Sequence, residues 1–346
     1  MARLLLAAHD PGGAQMIGAP VPELLRRGHD VDFVAAGPAV KLWRNEGREV
    51  AAIEGAADLE GAIERKPDAV IAATGFGEVE RAAWQWARRA GLRSLAAIDS
   101  WTHLLRRFEV TGGYDFPDVV AVIDSDTEAA FRAEAPDAID VAVVGQPHLE
   151  AQTERLTAAR GAHRFDANAP LMVFFSEPII EDFGPRARGF DQFQVFELAM
   201  QALADAAPQG LRVVVKPHPR ETMERWRDLV AKAGGFDGFQ VELAAETAES
   251  LLKSADGVIG MTTMVLLEAH LARIPVLSLQ PGGTGLVNPI IDRAAAAVMD
   301  PSAIAAKMAG LISRLGSEAP VDGSFRAILD GARSRFADAV EQRLLC

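Results

Sequence analysis

Short apolar runs recur along the first half of the chain. RLLLAAHD (3–10), VDFVAAG (31–37), EVAAIE (49–54), AVIAATG (69–75), SLAAID (94–99), VVAVIDS (119–125) and VAVVG (141–145) are apolar on successive positions, not on alternate ones. That pattern predicts strands buried on both faces. The stretches between them carry a helical period. EVERAAWQWARRAG (78–91) repeats its apolar positions every three to four residues, and Gly91 fits a helix C-cap. Residues 14–27 carry Met16, Ile17, Leu24 and Leu25, with Pro20 and Pro22 kinking or delaying the helix. Strands of this kind separated by helices imply a parallel sheet covered on both sides, joined by right-handed crossovers.

The pattern restarts after residue 165. LMVFFSEP (171–178), LRVVVKPHP (211–219), FQVEL (239–243), GVIGM (257–261), PVLSLQ (275–280) and AAAAVMD (294–300) read as strands. Helices are expected over 193–207, 224–235, 246–255, 264–272, 302–315 and 324–344, and a loop over 179–191. The expected fold class is therefore α/β, with two doubly wound Rossmann-like domains facing across a cleft. The first spans 1–155 and the second 165–325, and a C-terminal helix over 326–346 can pack back on the first. The polar stretch QTERLTAARGAHRFDANAP marks the boundary. In such folds ligands bind outside the carboxyl ends of the strands, so functional residues should follow strands directly.

Composition narrows the function. The chain has 346 residues, enough for two cores, and 49% of them are hydrophobic. Forty-eight acidic against 35 basic residues leave a net charge of −13, which argues against a nucleic-acid-binding face. The only cysteine, Cys346, excludes internal disulfides and thiolate metal clusters and suits a cytoplasmic location. The apolar run in MARLLLAAHDPGG is too short for a signal segment, and no run reaches the roughly 18–20 residues of a membrane helix. Peripheral contact with the inner face of a membrane stays open. The seven histidines are scattered, and GxGxxG, GxSxG and Walker A patterns do not occur. No cofactor and no metal are expected.

Chemistry collects at the strand ends. HDPGGAQ (9–15) offers His9 and Asp10 for acid–base work, and Gly12 and Gly13 allow close backbone approach to an anion at a helix start. A plain strand-to-helix turn capped by Asp10 is the simpler reading. TGFGE (74–78) is a second glycine-bearing strand end. IDSWTHLLRRF (98–108) groups Asp99, Trp101, His103, Arg106 and Arg107, where an indole can stack on a ring and an arginine can hold an anion; a capped helix start competes with that. Ser176 and Glu177 end FFSEP, within reach of sugar hydroxyls. Lys216 and His218 in VVVKPHPR are two phosphate donors on a turn stiffened by Pro217 and Pro219, against the alternative of one buried histidine. GMTTMVLLEAH (260–270) follows a strand with Gly260, a helix-capping pair Thr262–Thr263 and Glu268, which takes a ribose hydroxyl or is merely an exposed acid. LQPGGTGLVN (279–288) is a glycine-rich strand end that could close over a ligand, and GQPHLE reads as a connector between domains.

The two-domain layout, VVVKPHPRE and GMTTMVLLEAHLARIPVLSL together resemble glycosyltransferases of the GT-B fold. The Lys-Pro-His-Pro run is similar to the HP motif of bacterial sialyltransferases, polysialyltransferases and glycerophosphotransferases, and Thr262–Thr263 stands where those families carry a hydroxyl pair. GQPHLE is similar to the segment joining the domains in these transferases and in UDP-N-acetylglucosamine 2-epimerases. The resemblance implies a metal-independent glycosyltransferase that moves a sugar, such as a nonulosonic (sialic-type) one, from a nucleotide-activated donor to a cell-surface glycan, lipid or protein. Lys216, His218, Gly260, Thr262, Thr263, Glu268, Ser176 and Glu177 would serve the donor. Gly12, Gly13, Asp99, Trp101 and Arg106 would serve the acceptor, with His9, Asp10 and His218 catalytic. A nucleotide-sugar epimerase or hydrolase on the same fold, and a non-catalytic nucleotide-sugar-binding protein, remain open.

Overall fold

The computed structural model describes residues 1–346 apart from 76, 163–164, 186, 236–237 and 284–287. The chain divides into two compact units. One comprises Met1–Ala151 with Gly323–Cys346, the other Gln152–Asp322.

In the first unit the apolar runs become strands β1 (Arg3–Ala8), β2 (Asp30–Ala35), β3 (Val50–Ala52), β4 (Ala69–Ala72) and β5 (Arg93–Ala97). A short hairpin, β6 (Glu109–Val110) and β7 (Gly113–Tyr114), precedes β8 (Val119–Val122) and β9 (Asp140–Val143). The seven-stranded sheet is parallel throughout, in the order β3-β2-β1-β4-β5-β8-β9. Its helices are α1 (Pro11–Gly18), α2 (Val21–Arg26), α3 (Gly37–Asn45), α4 (Leu59–Ala62), α5 (Glu78–Arg89), α6 (Ser125–Arg132) and α7 (Pro147–Arg160), the last crossing into the second unit. Successive residues of β1 serve opposite cores: Leu4 and Leu6 pack with Trp43, Leu5 and Ala7 with Trp84 and Phe131. That is why the strands are apolar at every position.

The second unit repeats the plan. Strands β10 (Leu171–Phe175), β11 (Leu211–Lys216), β12 (Phe239–Leu243), β13 (Gly257–Gly260), β14 (Val276–Leu279) and β15 (Ala297–Val298) form a parallel sheet ordered β12-β11-β10-β13-β14-β15. Its helices are α8 (Ile179–Phe183), α9 (Gln192–Ala204), α10 (Met223–Ala233), α11 (Ala248–Ser254), α12 (Met264–Leu271), α13 (Pro289–Ala294) and α14 (Ile304–Ile312). Phe174, Phe196 and Trp226 form an aromatic centre with ring separations of 5.4 to 6.1 Å.

The last two helices, α15 (Gly323–Leu329) and α16 (Ala332–Leu344), belong to the first unit, where Phe336 and Val340 join the core of Leu4 and Leu6. GQPHLE fastens them. Gln146 N donates to Ile328 O at 3.0 Å, and a Cβ on Gly145, at φ +82°, would run into that same oxygen. Glu150 accepts from the amides of Gly331 and Arg333, each at 2.8 Å, and so caps α16. Arg27 adds bonds to Asp338 and Glu341 at 2.7 and 2.8 Å.

Four local expectations change. The polar stretch after residue 150 carries α7 as far as Arg160, because its outward positions are polar while Leu149 and Leu156 are buried. Residues 98–108 do not start a helix; they run irregularly into a tight turn over Arg106–Phe108. The loop over 179–191 opens with one helical turn, α8. The helix expected over 324–344 breaks at Gly331, whose φ of +76° a continuous helix excludes. Among the described residues no helix is long and apolar enough to cross a membrane.

Candidate functional site

Each sheet reverses its strand order once, between β1 and β4 in the first unit and between β10 and β13 in the second. Loops leaving adjacent strands diverge there, which opens the crevice where doubly wound folds take ligands. Most candidate residues follow the strands that form or adjoin these two points.

At the first reversal, His9 and Asp10 follow β1. His9 Nδ1 and Asp10 Oδ1 lie 2.8 Å apart, so Asp10 fixes the ring and leaves Nε2 as the basic nitrogen. Asp10 makes no side-chain cap bond to α1, which removes the plain-cap reading. The His9 amide donates to Glu80 Oε1 at 2.7 Å. Glu80 is 0% exposed, its Oε2 has no hydrogen-bond partner among the described residues, and burial followed by the nearby Asp10 charge raises its pKa. The loop after β4 must be glycine to admit these groups. A Cβ on Gly75 would strike Asp10 Oδ2, and one on Gly77 would sit 2.8 Å from His9 Cβ. Phe76, within the TGFGE stretch, lies outside the described residues.

Gly12 and Gly13 serve packing. A Cβ on Gly13 would lie 2.5 Å from that of Ala73, and one on Gly12 would collide with Asp99 Oδ2. The place expected for an anion beside Gly12 thus holds a carboxylate of the chain itself. Asp99 pairs with Arg107 at 2.6 Å, and Arg107 also reaches Thr74 O at 2.8 Å and Ser100 Oγ at 2.7 Å. Arg107, and not Arg106, is therefore the guanidinium of this cluster. Arg106 is exposed and lines a separate cavity of about 340 Å³ with His103, Glu109, Tyr114 and Glu134. Trp101 Nε1 donates to Asp124 at 2.7 Å, fixing the indole beside the end of β8.

Next to the second reversal, at the end of β11, a buried acid organises the VVVKPHPR turn. Glu221 accepts from Ser176 Oγ at 2.8 Å, Trp226 Nε1 at 3.1 Å and the His218 amide at 2.5 Å. The turn of Lys216 to Pro219 is so clamped to β10 and α10. Pro217 cannot donate to the sheet, and β11 ends at Lys216. The Arg220 amide donates to His218 Nδ1 at 3.2 Å, which leaves the ring proton on Nε2. Burial, then the adjacent Arg220 charge, lowers the His218 pKa, so the ring is a neutral donor at pH 7. Lys216 lies on the strand face opposite the buried Val215.

Glu177, one residue after Ser176, crosses the reversal. Its carboxylate accepts from the Thr262 amide and, at 2.6 Å, from Thr262 Oγ1, and Arg188 donates to that hydroxyl at 3.0 Å. Burial raises the Glu177 pKa. Thr263 caps α12 through Val265 N. Gly260 is glycine because Leu266 Cδ2 and Phe175 O crowd its Cβ position at 3.1 and 3.2 Å; its contribution is packing. Glu268 is no exposed acid: Gln152 donates to it at 2.7 Å, and burial pushes its pKa up to about 7.

Glu80, Gln152 and Glu221 were not singled out from the sequence; Arg107 was, in the group with Asp99, and Arg188 lies in the stretch 179–191 read as a loop. Acids inside or beside helices read as solvated surface, and only the fold shows them buried. Among the described residues no three histidine, cysteine, aspartate or glutamate side chains gather as a metal site. Residues 284–287 of the LQPGGTGLVN strand end lie outside the described residues.

No family model matches this sequence, and no curated protein matches it. Solved structures do. A candidate UDP-N-acetylglucosamine 2-epimerase from Listeria monocytogenes superposes with a TM-score of 0.71 at 12% identity, over 98% of this chain and 96% of that one. The UDP-N-acetylglucosamine 2-epimerase of Neisseria meningitidis, bound to UDP-N-acetylglucosamine, gives 0.68 at 10% identity, over 99% and 100%. CalG4, the calicheamicin glycosyltransferase, gives 0.58 at 15% identity, over 99% and 98%. The fold is that of GT-B proteins: two parallel-sheet α/β domains.

Proposed function

We propose that the chain is a metal-independent glycosyltransferase using a nucleotide-activated sugar. The observation that carries this reading is the chemistry placed at the two strand-order reversals. The second unit presents a neutral His218 donor, Lys216 and the Thr262–Thr263 start of α12, a set suited to a diphosphate or monophosphate leaving group. The first presents the His9–Asp10 pair, a base held in one tautomer.

In this reading His218 and Lys216 stabilise charge developing on the leaving phosphate, and Glu268 takes a ribose hydroxyl. His9 Nε2 removes the proton of the acceptor hydroxyl, and Asp10 stabilises the imidazolium. Trp101 and Asp99 contact the acceptor, a glycan, lipid or protein of the cell surface. The fold neighbours support a uridine nucleotide: several were solved with UDP or a UDP-sugar. The HP-type motif supports a nonulosonic sugar on CMP.

The epimerase reading has its own support. Asp10 and the protonation-prone Glu80 flank His9, and such a group can take a proton from a sugar carbon and return it. Incubation with UDP- and CMP-sugars, with and without mixed acceptors, separates the readings. Nucleotide release that requires an acceptor supports transfer. Acceptor-independent conversion of the sugar supports epimerisation, and binding without turnover rejects both.

A further inference from the structure

Where the second unit would receive a phosphate, it already holds an anion of its own. Glu177 takes the Thr262 amide with one oxygen and Thr262 Oγ1 with the other at 2.6 Å. An amide at a helix start and a hydroxyl, itself bonded to the Arg188 guanidinium at 3.0 Å, are the donors a phosphate oxygen seeks. The helix does not depend on Glu177 for its cap, because Thr263 Oγ1 accepts from Val265 N at 3.3 Å. The Glu177 backbone is tied down separately: its carbonyl accepts from Ile179 N at 2.8 Å, and Pro178 follows. The side chain can therefore swing away by rotation about its own bonds, leaving β10 and α12 in place.

We propose that Glu177 is an internal competitor for the ligand's phosphate, which is received at Thr262, beside the start of α12, only by displacing this carboxylate. The proposal rests on the reading that the second unit binds a nucleotide phosphate, and it adds a threshold to that site. A weak anion does not dislodge Glu177. A ligand that also binds through its nucleoside and through His218 does.

The test uses the full chain with inorganic pyrophosphate and the nucleotides UDP, CMP and GDP as probes, titrated calorimetrically into wild type, Glu177→Gln, Glu177→Ser and Glu177→Gln/Thr262→Val. Circular dichroism checks folding. Glu177→Gln and Glu177→Ser are expected to bind pyrophosphate at least tenfold more tightly than wild type, and the added Thr262→Val should cancel the gain. An unchanged or weaker pyrophosphate affinity in the folded variants overturns the proposal, whatever UDP does. So does failure of both single variants to fold, which would make Glu177 a structural element. A pyrophosphate gain in a protein that binds no UDP, CMP or GDP sustains the displacement and overturns the nucleotide reading instead.

Discussion

Glu268→Gln should make the protein more stable at alkaline pH and leave it unchanged in acid. Glu268 lies on α12, accepts one hydrogen bond from Gln152 at 2.7 Å, and has its pKa pushed by burial from 4.5 to about 7. The unfolded chain releases the Glu268 proton near pH 4.5, the folded chain only near pH 7. Between those values the folded state binds more protons, so stability falls as pH rises through the window. A shift of about 2.5 units at ~1.36 kcal/mol each puts the ceiling near ~3 kcal/mol. Glutamine keeps the shape and still accepts from Gln152 but carries no titrating charge. At pH 8 the variant should exceed wild type by up to about 3 kcal/mol, roughly 6–12 °C in the melting of a unit this size. At pH 4.5 the two should coincide. Calorimetric melts at half-unit pH steps from 4.5 to 8 read this directly. A difference independent of pH, or a variant less stable at pH 8, would refute the reasoning.

Other perturbations have equally definite outcomes. His9→Ala should lower turnover by about 10²–10⁴ with donor binding intact, and Asp10→Asn, which removes the charge that stabilises the His9 imidazolium, should cut kcat and not KM. Glu221→Ala should cost about 2–4 kcal/mol in urea titrations, because Ser176 Oγ, Trp226 Nε1 and the His218 amide all lose their partner. Gly145→Ala should destabilise the first unit by more than about 1 kcal/mol, since φ is +82° and Ile328 O fills the Cβ position; exchange of the amides of α16 should rise with it.

Much of this architecture was legible in the sequence, for a physical reason. Strands buried on both faces, such as Arg3–Ala8 and Val119–Val122, need apolar residues throughout, and amphipathic helices such as Glu78–Arg89 show their period. The two-residue strands β6 and β7 are too short to leave any alternation, and they went unseen. The site was legible at the level of loops, because strand-end positions follow from the strands. Side-chain partnerships were not. Glu80 and Glu221 are ordinary acids in the sequence and Glu177 reads there as a group for sugar hydroxyls, while their bonds in the fold reach groups 45 to 85 residues away, as with Ser176 for Glu221 and Thr262 for Glu177. The same holds for Gly12 and Gly260, whose Cβ positions are crowded by Asp99 Oδ2 and by Leu266, neighbours far off in the sequence for Gly12 and one turn of helix on for Gly260.

The central claim is that the second unit binds a nucleotide through the Lys216–His218 turn. Its most direct test is calorimetric titration of UDP, CDP, GDP and CMP into wild type and His218→Ala. The account predicts that one nucleotide binds wild type, and that the variant, melting within a few degrees of it, binds that nucleotide at least tenfold more weakly. Equal affinity in the two proteins, or no binding by any of the four, would contradict it.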